Sequence, residues 1–123
     1  MMRTLGMISL LALCACQTSW QRYPMSLYAA LKAETPEAIS AHHALLGDLY
    51  DTSLARGQKP KAGIAAEYAY YSWMLGMPAL AQQALAVERA SYPESAKFCA
   101  LLERYAEGIT PMEGATVTEG GVQ

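Results

Sequence analysis

Proline and glycine punctuation sets what this sequence can become. Thr35-Pro36-Glu37, Arg56-Gly57, Gly76-Met77-Pro78 and Pro93 cut residues 25–107 into segments of helix length, and within them apolar residues recur at spacings of three and four. At the first mark, Thr35 can accept a hydrogen bond from a free N–H of the first turn. Pro36 at the first helical position has no N–H to lose, and Glu37 complements the positive end of the helix. Ile39, Leu46, Leu49, Tyr50 and Leu54 then form one stripe, which Arg56 and Gly57 terminate. A second helix is predicted over residues 62–75, with Ile64, Tyr68, Tyr71 and Leu75 inward. On its neighbouring face Ala65, Ala69 and Ser72 are small enough to let another helix come close. A third, over 79–90, carries Leu80, Ala84, Leu85 and Val87 and folds back on the second as an antiparallel hairpin. A fourth, over 95–106, is expected to turn Phe98, Leu101, Leu102 and Tyr105 inward, and a short helix over 25–33 precedes the set. No segment alternates with period two for long enough to make a strand. The expected fold class is all-α: antiparallel helical hairpins with a C-terminal capping helix.

The first residues belong to a different kind of segment. Arg3 is followed by the apolar run Leu5-Gly6-Met7-Ile8-Ser9-Leu10-Leu11-Ala12-Leu13, a short basic and a hydrophobic region as in a secretory signal. The run falls short of the roughly 20 apolar residues a membrane-spanning helix needs. It ends in Leu13-Cys14-Ala15-Cys16, which resembles the bacterial lipobox: aliphatic, small, alanine, then the acceptor cysteine. The resemblance implies cleavage between Ala15 and Cys16 and acylation of Cys16, whose thiol takes a diacylglycerol and whose freed amine takes a further chain. Two or three acyl chains such as palmitate hold a protein stably on a bilayer where one does not. Gln17 is not the acidic residue that would retain a lipoprotein in the inner membrane, so the expected destination is the periplasmic face of the outer membrane.

The remaining organisation follows. Residues 1–15 read as signal peptide and 16–24 as a lipidated tether without helical period. Residues 25–107 read as a helical-repeat domain and 108–123 as a disordered tail poor in large apolar residues. Removing residues 1–15 takes away Arg3 alone and leaves eight basic against eleven acidic residues, which gives no basis for nucleic-acid binding. Cys99 has no partner for a disulfide framework and reads as a small buried apolar residue.

Between Ala62 and Pro93 the hairpin resembles a tetratricopeptide repeat: Gly76 stands in the turn, Ala81 at the small site of the second helix, Leu85 at the bulky one and Pro93 at the end. Ala65 replaces the usual large residue of the first helix, and Glu88 stands where a small residue is customary. A single repeat cannot bury its own faces, so flanking helices must cover it. Across 23–105 the chain resembles the bacterial lipoproteins grouped as domain of unknown function 4810. The residues that carry this are Ser26-Leu27-Tyr28, Leu31-Lys32, Ala55-Arg56-Gly57, Pro60, Gly63, Gly76 and Tyr92-Pro93-Glu94-Ser95-Ala96-Lys97-Phe98. The resemblance implies a role in outer-membrane assembly beside a curli-secretion-type lipoprotein and another small lipoprotein, and it brings no catalytic residues.

Chemistry is weakly signalled. His42 and His43 point about 100° apart on a helix and cannot both hold one metal. One is expected at the edge of the core and the other in water, with no metal or cofactor. No phosphate loop or nucleophile motif is present, and enzymatic activity is not expected. Tyr68 and Tyr71 are assigned to the core and Met74 and Met77 to filling gaps. Tyr70 and Trp73 are the candidates for an exposed partner contact, the alternative being that they pack on the first long helix. The function expected is a lipid-anchored, protein-binding adaptor; a periplasmic carrier of a small apolar ligand is the alternative.

Overall fold

A computed structural model of the chain describes residues 18–113. The signal run, Ala15 and Cys16, and residues 114–123 of the expected tail lie outside the described residues. Within them the chain is all-helical: α1 (Ser19–Ala33), α2 (Pro36–Ala55), α3 (Ile64–Met74), α4 (Pro78–Ser91), a 3-10 turn (Pro93–Ser95) and α5 (Ala96–Ala106). Each helix packs on its chain neighbour, and α5 lies against both α3 and α4.

The helix signals act where the sequence puts them. Thr35 Oγ1 accepts from the Ala38 N–H at 3.2 Å, and Pro36 opens α2. Gly57 and Gly76 close α2 and α3 with positive φ, the left-handed conformation that glycine adopts without a Cβ penalty. Ala65, Ala69 and Ser72 on α3 and Ala81, Ala84 and Leu85 on α4 are all fully buried. Small side chains thus bring the two backbones together, and the α3–α4 hairpin is consistent with a repeat-like pair. Ile39, Leu46, Leu49 and Tyr50 of α2 complete the core, with Leu54 left largely exposed near the helix end.

Three expectations about the ends of the domain need correction. First, α1 begins at Ser19, so residues 19–24 are helix and not tether. Thr18-x-x-Gln21 forms a capping box: Thr18 Oγ1 accepts from the Gln21 N–H, and the Gln21 side chain accepts from the Thr18 N–H at 3.0 Å. Pro24 stands inside this helix, where it removes one backbone hydrogen bond. Second, α5 buries Cys99 and packs Leu102, as expected, and Ala106 partly against the core, and not Phe98, Leu101 and Tyr105, which each expose more than half their area. The stripe of Cys99, Leu102 and Ala106 is offset by one residue from that of Phe98, Leu101 and Tyr105, and its small members Cys99 and Ala106 let α5 seat on α3 and α4. Third, the chain beyond Gly108 does not leave the body at once. Ile109 and Met112 pack against the core, and the Met112 N–H donates to Met74 O at 2.8 Å.

Candidate functional site

Local chemistry concentrates at two places inside the helix stack and at one on its surface. The first fastens the α2–α3 connection. Gly63, the N-cap of α3, has no side chain to satisfy the free N–H groups there. Glu88 reaches across from α4, almost completely buried, and its Oε1 accepts from the Gly63 N–H at 2.9 Å. A carboxylate at this end of a helix also meets the positive end of its dipole. Tyr92 OH donates to Pro60 O at 2.7 Å, and the Lys59 ammonium lies 5.9 Å from the Tyr92 ring centre. Ser95 Oγ in turn donates to Tyr92 O at 2.7 Å. Pro60, Gly63 and Tyr92 to Ser95, far apart in sequence, therefore meet as one structural lock. The acid at position 88, odd for a repeat helix, is explained as a cap supplied in trans.

The second is a polar clasp of α1, α2 and α3. Glu67 Oε1 pairs with His42 Nε2 at 2.7 Å, and Tyr23 OH donates to Glu67 Oε2 at 2.5 Å. Ser26 Oγ lies 2.9 Å from His42 Nδ1. Ser19 Oγ also donates to Asp48 Oδ2, a further tie between α1 and α2. Burial and the Glu67 carboxylate push the Tyr23 hydroxyl well above the usual phenol range, so it stays a donor. Serine, imidazole and carboxylate in series is the order of an acyl-transfer triad. Ser26, however, sits in the middle of α1, where the backbone N–H groups are bonded within the helix and leave no donor pair for an oxyanion. What the arrangement does is join three helices.

Both histidines are buried, which corrects the expectation that one faces water. Ser72 Oγ has one hydrogen, donated to Tyr68 O at 2.7 Å, so it accepts from His43 Nε2–H at 2.9 Å. The His43 ring lies on Tyr68 with centroids 4.8 Å apart. Desolvation, with His42 adjacent, lowers the His43 pKa to about 4 and keeps it neutral at pH 7. Burial likewise pushes the Tyr68 hydroxyl up to about 12. Among the described residues no group of three or more His, Cys, Asp or Glu is placed to hold a metal ion.

The third place is the outer face. Trp73, expected with Tyr70 as an exposed contact, is only 8% exposed and belongs to the core. Tyr70 is half-buried and stacks on Tyr105 with centroids 6.3 Å apart, so α3 reaches the surface beside α5. Together with Met74, Arg104 and Ile109 the two tyrosines line a shallow depression open to solvent. Phe98 and Leu101 continue this apolar surface along α5. Sequence reasoning named Tyr70 but missed Phe98, Leu101 and Tyr105, because it assigned them to the core. Their spacing of three and four was visible, but so was that of Cys99, Leu102 and Ala106. On α1, Met25, Tyr28 and Leu31 are likewise exposed.

These features define a small all-α protein of stacked helices, internally locked, whose chemically distinctive surface is apolar. The family described as Domain of unknown function (DUF4810) matches residues 18–102, and the chain belongs to it. No curated protein and no solved structure matches the chain.

Proposed function

We propose that this protein is a lipid-anchored adaptor or assembly factor that binds a protein partner at the periplasmic face of the outer membrane, in company with other lipoproteins of a curli-secretion-like system. The observation that carries the binding role is the outer face of α5. A stack of helices normally ends in a helix whose outer side is polar, because nothing further covers it. Here that side shows Phe98, Leu101 and Tyr105, and Tyr70 of α3 extends it. Large aromatic side chains clustered on an open face are the type of group that dominates protein–protein contacts. The anchor is supported by Leu13-Cys14-Ala15-Cys16. No described helix is long and apolar enough to cross a membrane, so attachment in this reading falls to acyl chains on Cys16. Its mechanism is tethering, which raises the effective concentration of the module at one surface. The depression lined by Tyr70 and Tyr105, and a second one lined by Trp73, Pro78 and Glu103, are open to solvent, which favours docking over the enclosed pocket a small-ligand carrier needs.

Intact-mass measurement of the protein extracted from membranes tests the anchor: the native chain should begin at Cys16 and carry acyl chains, and Cys16→Ala should remain unprocessed. An unmodified native N-terminus refutes it. Chemical cross-linking in intact cells followed by purification tests the partner. A stoichiometric second lipoprotein is expected, and a species containing this chain alone counts against the adaptor role.

A further inference from the structure

The tether shrinks to almost nothing once α1 is seen to start at Ser19. Between the cysteine expected to carry lipid and Thr18, the N-cap, stands only Gln17. Two residues of fully extended chain span roughly 7 Å. The headgroup layer on each side of a bilayer is about as thick, since some 30 Å of hydrocarbon lies within a total of about 40–45 Å. The first turn of α1 therefore cannot stand clear of the membrane to which Cys16 is fixed.

The outward face of α1 suits that position. Trp20, Pro24, Tyr28 and Leu31 fall at i, i+4, i+8 and i+11, one stripe running the length of the helix, with Met25 beside it. All five are exposed, while Tyr23 and Ala30 on the opposite side meet the body. The 15 residues of α1 hold Arg22 and Lys32 and no carboxylate, in a chain whose net charge is -2. Lys32 lies 5.3 Å from the Tyr28 ring centre, and Lys61 lies 4.2 Å from that of Trp20. Tryptophan, tyrosine and lysine around an aliphatic strip are the groups that settle at a lipid–water interface. Building on the lipid anchor read for Cys16, we infer that α1 lies in the plane of the membrane with Trp20, Tyr28, Leu31 and Met25 in the headgroup layer. This fixes the orientation of the domain and leaves α5 free for its partner. The occupant of the α1 face is phospholipid.

Nitroxide depth measurements on the full chain test this. Tyr28→Cys and Leu31→Cys, with Phe98→Cys and Leu101→Cys as references on α5, are each spin-labelled. Buried Cys99 is shielded from the reagent. The acylated protein is then reconstituted in vesicles of phosphatidylethanolamine and phosphatidylglycerol. Labels on α1 should collide several-fold more with oxygen, relative to a water-soluble nickel chelate, than labels on α5. All four positions are exposed, and circular dichroism checks that each variant retains its helices. Equal nickel access at all four sites, in protein whose mass shows acyl chains, overturns the interfacial helix while leaving the anchor intact. Labels on α1 shielded from both reagents would mean that protein covers this face, which also overturns it. Protein without acyl mass removes the anchor and the inference together.

Discussion

Glu88 shows how one residue can hold two helices in register. Its carboxylate is buried on α4 yet acts on α3, because Gly63 at that N-terminus brings φ freedom but no capping group. Losing a charge-assisted hydrogen bond that is shielded from water costs about 2 kcal/mol. Glu88→Ala should lower unfolding stability by that order and Glu88→Gln, which keeps an acceptor oxygen, by clearly less; urea titrations of the three proteins decide. His43 makes a second prediction, from proton linkage. Its folded-state pKa of about 4 lies below the ordinary 6.5, so the unfolded chain takes up the proton first as pH falls. The stability is complete above the unfolded value and is lost through the interval down to about 4. Between about pH 7 and about pH 5 the loss from this residue is about 2 kcal/mol, at 1.36 kcal/mol per pH unit below the unfolded value. His43→Gln should flatten the pH dependence of the denaturation midpoint over that range. An unchanged slope would mean that another group governs it.

At the scale of elements, α1 depends on its own local signals, since its backbone packs along α2 and it meets α3 through the Tyr23–Glu67 hydrogen bond. Thr18→Ala removes one half of the capping box and should cost about 1 kcal/mol. Hydrogen exchange should show the loss as faster opening of α1 amides, while those of α3 and α4 keep their protection; uniform acceleration would contradict this. How legible each element was depended on whether its signal was unique. Thr35-Pro36-Glu37 and Arg56-Gly57 admitted one reading, and α2 starts and stops there. Thr18-x-x-Gln21 was equally plain but lay in a segment read as tether, and Pro24 argued against a helix through it. For α5 two apolar stripes competed. Periodicity cannot choose between them, because the choice depends on how closely α3 and α4 approach. The lock of Pro60, Gly63, Glu88 and Tyr92 was hidden for a similar reason. Its members pair across 25 and 32 residues, and only the fold brings them together.

For the whole molecule, the proposed roles divide between opposite ends of the chain: attachment through Cys16 and α1, and partner binding through α5. If so, they can be separated by substitution. Phe98→Glu combined with Leu101→Glu places charge on a face that already meets solvent, so each change should alter stability by no more than about 0.5 kcal/mol. The same pair should abolish cross-linking to the partner, because a desolvated carboxylate without a counter-charge is costly at an interface. Membrane fractionation and acyl mass should be unchanged. Cys16→Ala should remove the acyl mass and the outer-membrane attachment and leave the helical body folded, because its core is drawn from α1 to α5. Circular dichroism, cross-linking yield and fractionation on both proteins provide the comparison. Loss of attachment in the α5 variant would show that the two ends do not act independently. A retained partner would move the docking surface away from Phe98 and Leu101.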